Sequence, residues 1–313
     1  MEGTETPAVG HDRAPGTRRV LMARCAVLLA VLAWGGQYVV ARADITGDHG
    51  IDAAATVALR FAVASLVFAP LAFYWGLRDL CGLGWQRAAT VVLLAGAPYT
   101  LIVLGSLHFT SVAHAAAINP ATVCLFAVLI PWIVGQQRFP TGRLTGAAII
   151  ATGLVLLTGV LYGGASRTSL IGDAILFLSG AMWALYIFLV QRWRLDPWRT
   201  SAVIAVLSSL YAFPYLAIVG LPGTTIARVA WTSFYQGLLV FVVANSCFTW
   251  AIGVLGPREP ATLSPLVPVV GTLLGFVVLG EQPTVVQFGG IALIVGGVLH
   301  VNLTSASPSL PAR

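Results

Sequence analysis

The sequence has no lysine. All 17 of its basic residues are arginine, and with 11 acidic residues the charged fraction is only 9%. A soluble domain carries about 25% charged residues, so a water-soluble enzyme is excluded. Cysteine is scarce too: Cys25, Cys124 and Cys247 lie in or at the ends of apolar runs, Cys81 sits in a short loop, and no pair has CxxC spacing. Neither a disulfide nor a zinc site is expected. Long polar stretches are missing, which leaves no room for an extramembrane domain. What fills the 313 positions is apolar, with 58% hydrophobic residues and a mean hydropathy of +0.89.

A helix needs about 20 apolar residues to cross a bilayer. Ten such runs are predicted, near 22–41, 54–75, 87–106, 111–134, 143–161, 170–190, 200–219, 232–254, 260–279 and 284–303. Turn-forming polar segments separate them, the tightest being Gly256 to Pro260 and Gly280 to Pro283. The first run ends in Ala41-Arg42-Ala43, which mimics a signal-peptide cleavage site. It is longer than a signal core and is interrupted by Trp34, Gln37 and Tyr38, so it reads as an uncleaved helix. With residue 1 in the cytoplasm, inner segments collect 13 arginines and outer ones only Arg42, Arg167 and Arg228. That bias predicts cytoplasmic termini and a multi-pass protein of the plasma (inner) membrane.

The chain also repeats itself. Ser111, His114, Ala116, Asn119 and Pro120 are answered by Gly256, Glu259, Ala261, Ser264 and Pro265 at a constant offset of 145. After a two-residue slip, Pro140, Gly146 and Gly153 fall on Pro283, Gly289 and Gly296. More loosely, Trp34 with Gln37 and Tyr38 is answered by Trp183 with Tyr186. The expected division is a cytoplasmic tail (1–20), two five-helix repeats (21–161 and 162–303) and a second cytoplasmic tail (304–313). Five crossings per repeat make the second copy enter from the opposite side. The fold class is therefore all-α integral membrane, with ten transmembrane helices in two inverted five-helix repeats, a geometry that suits alternating access.

These residues resemble a known family, the EamA-type transporters of the drug/metabolite transporter superfamily. The resemblance rests on Trp34-Gly35, Arg60-Phe61 and the run Gly256-Pro257-Arg258, Ala261, Pro265, Pro268, Gly275, Leu279-Gly280-Glu281, Gln287 and Gly289-Gly290. It implies ten helices in two inverted repeats and transport of small metabolites, in many members the export of amino acids. Gln136 stands where the pattern repeats the acid found at Glu281, which speaks against symmetric paired carboxylates.

Arg60 is the only basic residue well inside a span, and charges there face a cavity or pair with a partner. It is expected either to attract an anionic group or to pair with an outer acid such as Asp173 or Glu281. Glu281 and Glu259 lie beside prolines at helix ends, where capping is the default role and proton carriage the alternative. His108 and His114 flank the outer turn between spans three and four, solvated or gating. Trp34, Gln37, Tyr38, Asn119, Trp183, Tyr186, Asn245, Ser246, Thr249, Trp250 and Ser264 are polar or amphipathic groups in or at spans. They are the expected substrate contacts, with helix-to-helix hydrogen bonding and interfacial tryptophans as the competing reading. Pro120 and Pro265 are expected kinks or hinges, and the glycine pairs are expected close-packing sites.

The sequence thus points to an alternating-access carrier of a small polar metabolite, amino-acid export foremost. Its partners are a small-molecule substrate and the lipid bilayer, with no nucleic acid, metal or cofactor. A second reading is import or exchange of an anionic or phosphorylated metabolite through Arg60. A membrane-embedded enzyme is disfavoured, because Ile171-Gly172-Asp173 resembles half an aspartyl site and no second span supplies its partner.

Overall fold

The computed structural model describes residues 17–47, 51–135, 141–161, 163–164, 166–256 and 258–304. The terminal tails outside that range, with Gln136 and Pro140, lie beyond the described residues. Ten helical segments follow one another: α1 (Thr17–Thr46), α2 (Ala53–Trp75), α3 (Trp85–His108), α4 (Val112–Ile133), α5 (Thr141–Thr158), α6 (Arg167–Arg192), α7 (Pro197–Ile218), α8 (Ile226–Leu255), α9 (Glu259–Leu279) and α10 (Val285–Thr304). Among the described residues nine are long and apolar enough to cross a membrane, α5 being the shorter apolar helix.

The helices begin where side-chain oxygens can satisfy the free backbone donors of a first turn. Asp52 caps α2, Ser111 α4, Ser166 α6, Asp196 α7 and Thr225 α8. Four spans depart from a plain helix. α1 runs past the expected 41 to Thr46, because Asp44 is buried there and bound by Arg228 Nε at 2.6 Å and Thr232 Oγ1 at 2.8 Å. α3 breaks at Gly96, where a Cβ would lie 2.6 Å from Ser208 Oγ. That hydroxyl accepts the Ala97 N–H at 3.0 Å, so the break leaves the donor satisfied. α8 widens to a π-helix over Ser233–Ala244. α9 is interrupted at Ser264 and Pro265, as the missing proline donor demands, whereas α4 runs through Pro120 unbroken.

Side-chain contacts show which helix ends lie together. At one end Asp44 of α1 meets Arg228 of α8, Tyr215 of α7 meets Asp52 before α2, and Asp173 of α6 meets Thr110 and His114 at the start of α4. At the other, Arg24 of α1 meets Glu259 of α9, Arg87 of α3 lies over Trp193 after α6, and Thr145 of α5 meets His300 of α10. The chain therefore alternates direction, and α6 starts at the end where α1 finishes, which is the inversion of the second repeat.

The packing obeys the same symmetry. α1 packs on α9 as α6 packs on α4, α2 packs on α8 as α7 packs on α3, and α5 pairs with α10. In that last pair the glycines allow backbone contact: a Cβ on Gly153 would meet Gly290 O at 2.7 Å, and one on Gly146 would meet Gly297 O at 3.0 Å. The second-repeat partners are thus Gly290 and Gly297. The expected Gly289 and Gly296 face open space, one residue round the helix from the contact.

Candidate functional site

Two polar clusters lie inside the bundle, each built from three helices. The first centres on Arg60, the eighth residue of α2 and only 7% exposed. Its Nη2 donates to Gln37 Oε1 of α1 at 2.8 Å and to Gln236 Oε1 of α8. Gln236 sits in the π-helical part of α8 and donates in turn to the Gln37 carbonyl at 2.9 Å. A π segment rotates side chains out of α-helical register, and here it carries the amide to the guanidinium. The expected ionic partners are not used, since Asp173 and Glu281 are engaged elsewhere. Arg60 Nε has no hydrogen-bond partner among the described residues. Tyr38, buried on α1, and Tyr99 on α3 lie within electrostatic range of the guanidinium.

The second cluster joins α3, α4 and α6. Asn119 Nδ2 donates to Ser179 Oγ at 2.8 Å and to Tyr99 Oη at 3.4 Å. The Tyr99 ring packs on Trp183 with centroids 5.0 Å apart, and Trp183 packs on Tyr186 at 5.1 Å. Gly180 brings α6 against α4 here, where a Cβ would lie 2.7 Å from Asn119 O.

The inverted repeat supplies this arrangement twice and fills it differently. Trp34 and Tyr99 map onto Trp183 and Phe248 at one offset, 149. Trp34 packs on Phe248 at 4.9 Å as Trp183 packs on Tyr99. Ser179 maps at that offset onto Ala30, and Asn119 maps at 145 onto Ser264, whose hydroxyl bonds, among the described residues, to the Ala261 carbonyl of its own helix. One copy is polar and the other apolar, so a ligand between the repeats meets two unlike walls.

The other anticipated groups lie apart. His114 Nδ1 is 2.8 Å from Asp173 Oδ1, and its Nε2 is 2.8 Å from Gln287 Nε2 of α10. The Gln287 oxygen accepts from Thr284 N, so its amine faces the ring. The imidazole then donates through Nδ1 and accepts through Nε2. His114 is buried at 4% exposure instead of solvated at a loop edge, while His108 stays exposed. Glu281 caps a helix other than the one it precedes: its carboxylate accepts the Val112 N–H at 3.0 Å, tying the end of α9 to the start of α4. Asn245 is half-buried on α8, its backbone N–H on the Val242 carbonyl and its side chain without a hydrogen bond among the described residues. Trp250 is 37% exposed.

Tyr99, Ser179 and Gln236 escaped the sequence reading. Tyr99 carried a signal, since it sits at the offset that relates Trp34 to Trp183. Gln236 carried only its polarity inside an apolar run. Two clefts open elsewhere. One of about 410 Å³ lies between Cys81 to Leu83, Arg87 and Trp193 to Arg199, and one of about 270 Å³ lies among α1, α8 and α9 beside Arg228 and Tyr235.

Residues 21–159 and 170–303 each match the model of the EamA-like transporter family. The chain belongs to that family. An uncharacterized transporter of Archaeoglobus fulgidus is 25% identical over 294 residues, covering 89% of this chain and 95% of the relative. An uncharacterized protein of Pseudomonas aeruginosa is 28% identical over 293 residues, covering 90% and 96%. A solved crystal structure with 20% identity covers 93% of this chain and 99% of its own, with a TM-score of 0.56, a likeness of fold. This EamA-like chain is therefore a multi-pass membrane protein of a transporter family, and its two matched segments meet at the polar clusters.

Proposed function

We propose that this protein exports small polar metabolites, amino acids foremost, by alternating access across the plasma membrane, with both termini in the cytoplasm. The observation that carries the reading is the cluster of half-buried Tyr99 and Trp183 with buried Asn119 and Ser179 between the repeats, which its symmetry-related copy lacks. Amides, hydroxyls and aromatic faces suit a compact ligand with one or two charges. A multiply charged phosphate would call for several basic groups, and Arg60 stands alone among the spans. Sidedness follows the arginine distribution, which puts the Arg24 end inside and the Asp173 end outside. A carrier is favoured over an intramembrane aspartyl enzyme, because Asp173 is bound by Thr110 and His114 and not by a second carboxylate.

The test compares extracellular metabolites of cells expressing the intact protein with those of cells expressing Trp183→Ala, Asn119→Ala at equal membrane level. One or a few compounds enriched outside only with the intact protein are expected. Identical profiles would overturn constitutive export.

A further inference from the structure

Resting on the export reading, we infer that Arg60 is the anchor for the substrate's carboxylate, so that the transported class is the monocarboxylate amino acid. A guanidinium keeps its proton even when buried, and a buried charge is costly unless paired and hydrogen-bonded. Arg60 has two neutral amide oxygens on Nη2, an unpartnered Nε, and no carboxylate within ion-pairing distance among the described residues. The acids that could have paired with it, Asp44, Asp173 and Glu281, are held by Arg228, by His114 and Thr110, and by the start of α4. The protein thus keeps an uncompensated positive charge about 10 Å from the nearer end of α2.

The edge formed by Nε and Nη2 is the fork that receives a carboxylate through two parallel hydrogen bonds. Nε is buried and unpartnered among the described residues, and Nη2 is shared with two exchangeable amides. An incoming carboxylate completes the pair at Nε and displaces one glutamine oxygen from Nη2. If the displaced group is Gln236, a bond between α2 and α8, and so between the two repeats, is released on binding. The same guanidinium then serves as an inter-repeat tie when empty and as an anchor when loaded, which couples occupancy to movement. The zwitterion's ammonium end is assigned to the second cluster. There the Trp183 face packs on Tyr99 beside Asn119, whose two bonds both use Nδ2. An aromatic face receives an ammonium group. A phosphorylated ligand would find one guanidinium where it needs several.

The test uses the full chain reconstituted in liposomes loaded with an equimolar set of the protein amino acids and their C-terminal amides, release being followed by mass spectrometry. The amide keeps the side chain and ammonium and loses only the carboxylate. For each side chain that leaves, the acid is expected to exit at least about tenfold faster than its amide, the scale of one charge-assisted hydrogen bond. Arg60→Gln should lower acid release to the amide rate, and Arg60→Lys, which keeps the charge and loses the fork, should retain part of the preference. Cooperative melting of each variant shows that it is folded. Equal release of acid and amide by the intact protein, or an undiminished preference in folded Arg60→Gln, would overturn the anchor and leave export standing. Release of neither by the folded intact protein would overturn amino-acid export and the anchor together.

Discussion

Asp173 and His114 show what a buried polar residue requires. Each is about 5% exposed, and the Asp173 carboxylate has Thr110 and His114 on Oδ1 and no partner on Oδ2 among the described residues. Removing the imidazole leaves the buried Asp173 carboxyl group with a single hydroxyl partner, and a buried polar group deprived of a hydrogen-bond partner costs about 1–3 kcal/mol. His114→Leu is therefore expected to melt well below the intact protein in detergent. His114→Leu with Asp173→Leu, which removes both polar groups, is expected to recover much of that loss. A His114→Leu protein that melts with the intact one would show that the pair does not hold α4 to α6. The sequence marks both residues as polar at span ends, but the pair is 59 residues apart and depends on how α4 and α6 pack. For the same reason Arg60 is legible from sequence as the one cation inside a span, while its partners, 23 and 176 residues away, are not.

Between elements, α5 and α10 approach closely through glycines that face each other's carbonyls. Gly153 and Gly290 are each within 2.8 Å of the other's carbonyl once a Cβ is added. Leucine at either position has to push the two backbones apart, and overpacking of this kind costs about 1–3 kcal/mol. Gly290→Leu should accordingly lower the melting temperature, and Gly289→Leu, whose Cβ would meet nothing within 4 Å, should not. Equal melting of the two would refute the observed register. The element scale is also where the sequence is most readable. Ten apolar runs, their separators and the inversion follow from hydropathy, an odd number of crossings and a constant offset. The α9 break at Pro265 is readable too, whereas the break at Gly96 and the π turn in α8 are less so, because each answers a neighbour: Ser208 for α3 and Arg60 for the Gln236 turn. The tail of α1 past residue 41 belongs with them, stabilised by Arg228 and Thr232 some 180 residues on.

For the whole molecule, the two ends are sealed unequally. At the Asp173 end three of the links that join the repeats are largely buried: Asp44 to Arg228 and Thr232, Asp173 to His114, and Glu281 to the start of α4. At the other end the links between repeats are mostly exposed: Arg24 with Glu259, whose side chains are 55% and 35% exposed, Thr145 with His300, Arg199 with the Cys81 carbonyl, and Arg87 over Trp193. Exposed pairs contribute little, so this conformation is closed more firmly at the Asp173 end. Two inverted halves can exchange conformations, and the state open at the Asp173 end must lack these links. Weakening them selectively destabilises the closed state and shifts the population. Asp44→Asn with Glu281→Gln, in a background whose four cysteines are alanine and Gln37 is cysteine, should raise labelling by an impermeant maleimide applied to the Asp173 side at least about tenfold, since roughly 1.4 kcal/mol of differential stabilisation is enough. Right-side-out vesicles present the outer face assigned to that end, and inside-out vesicles present the other. A matching rise from both faces would mean that the links hold the fold without gating it, and a rise only in inside-out vesicles would reverse the assigned orientation of the chain.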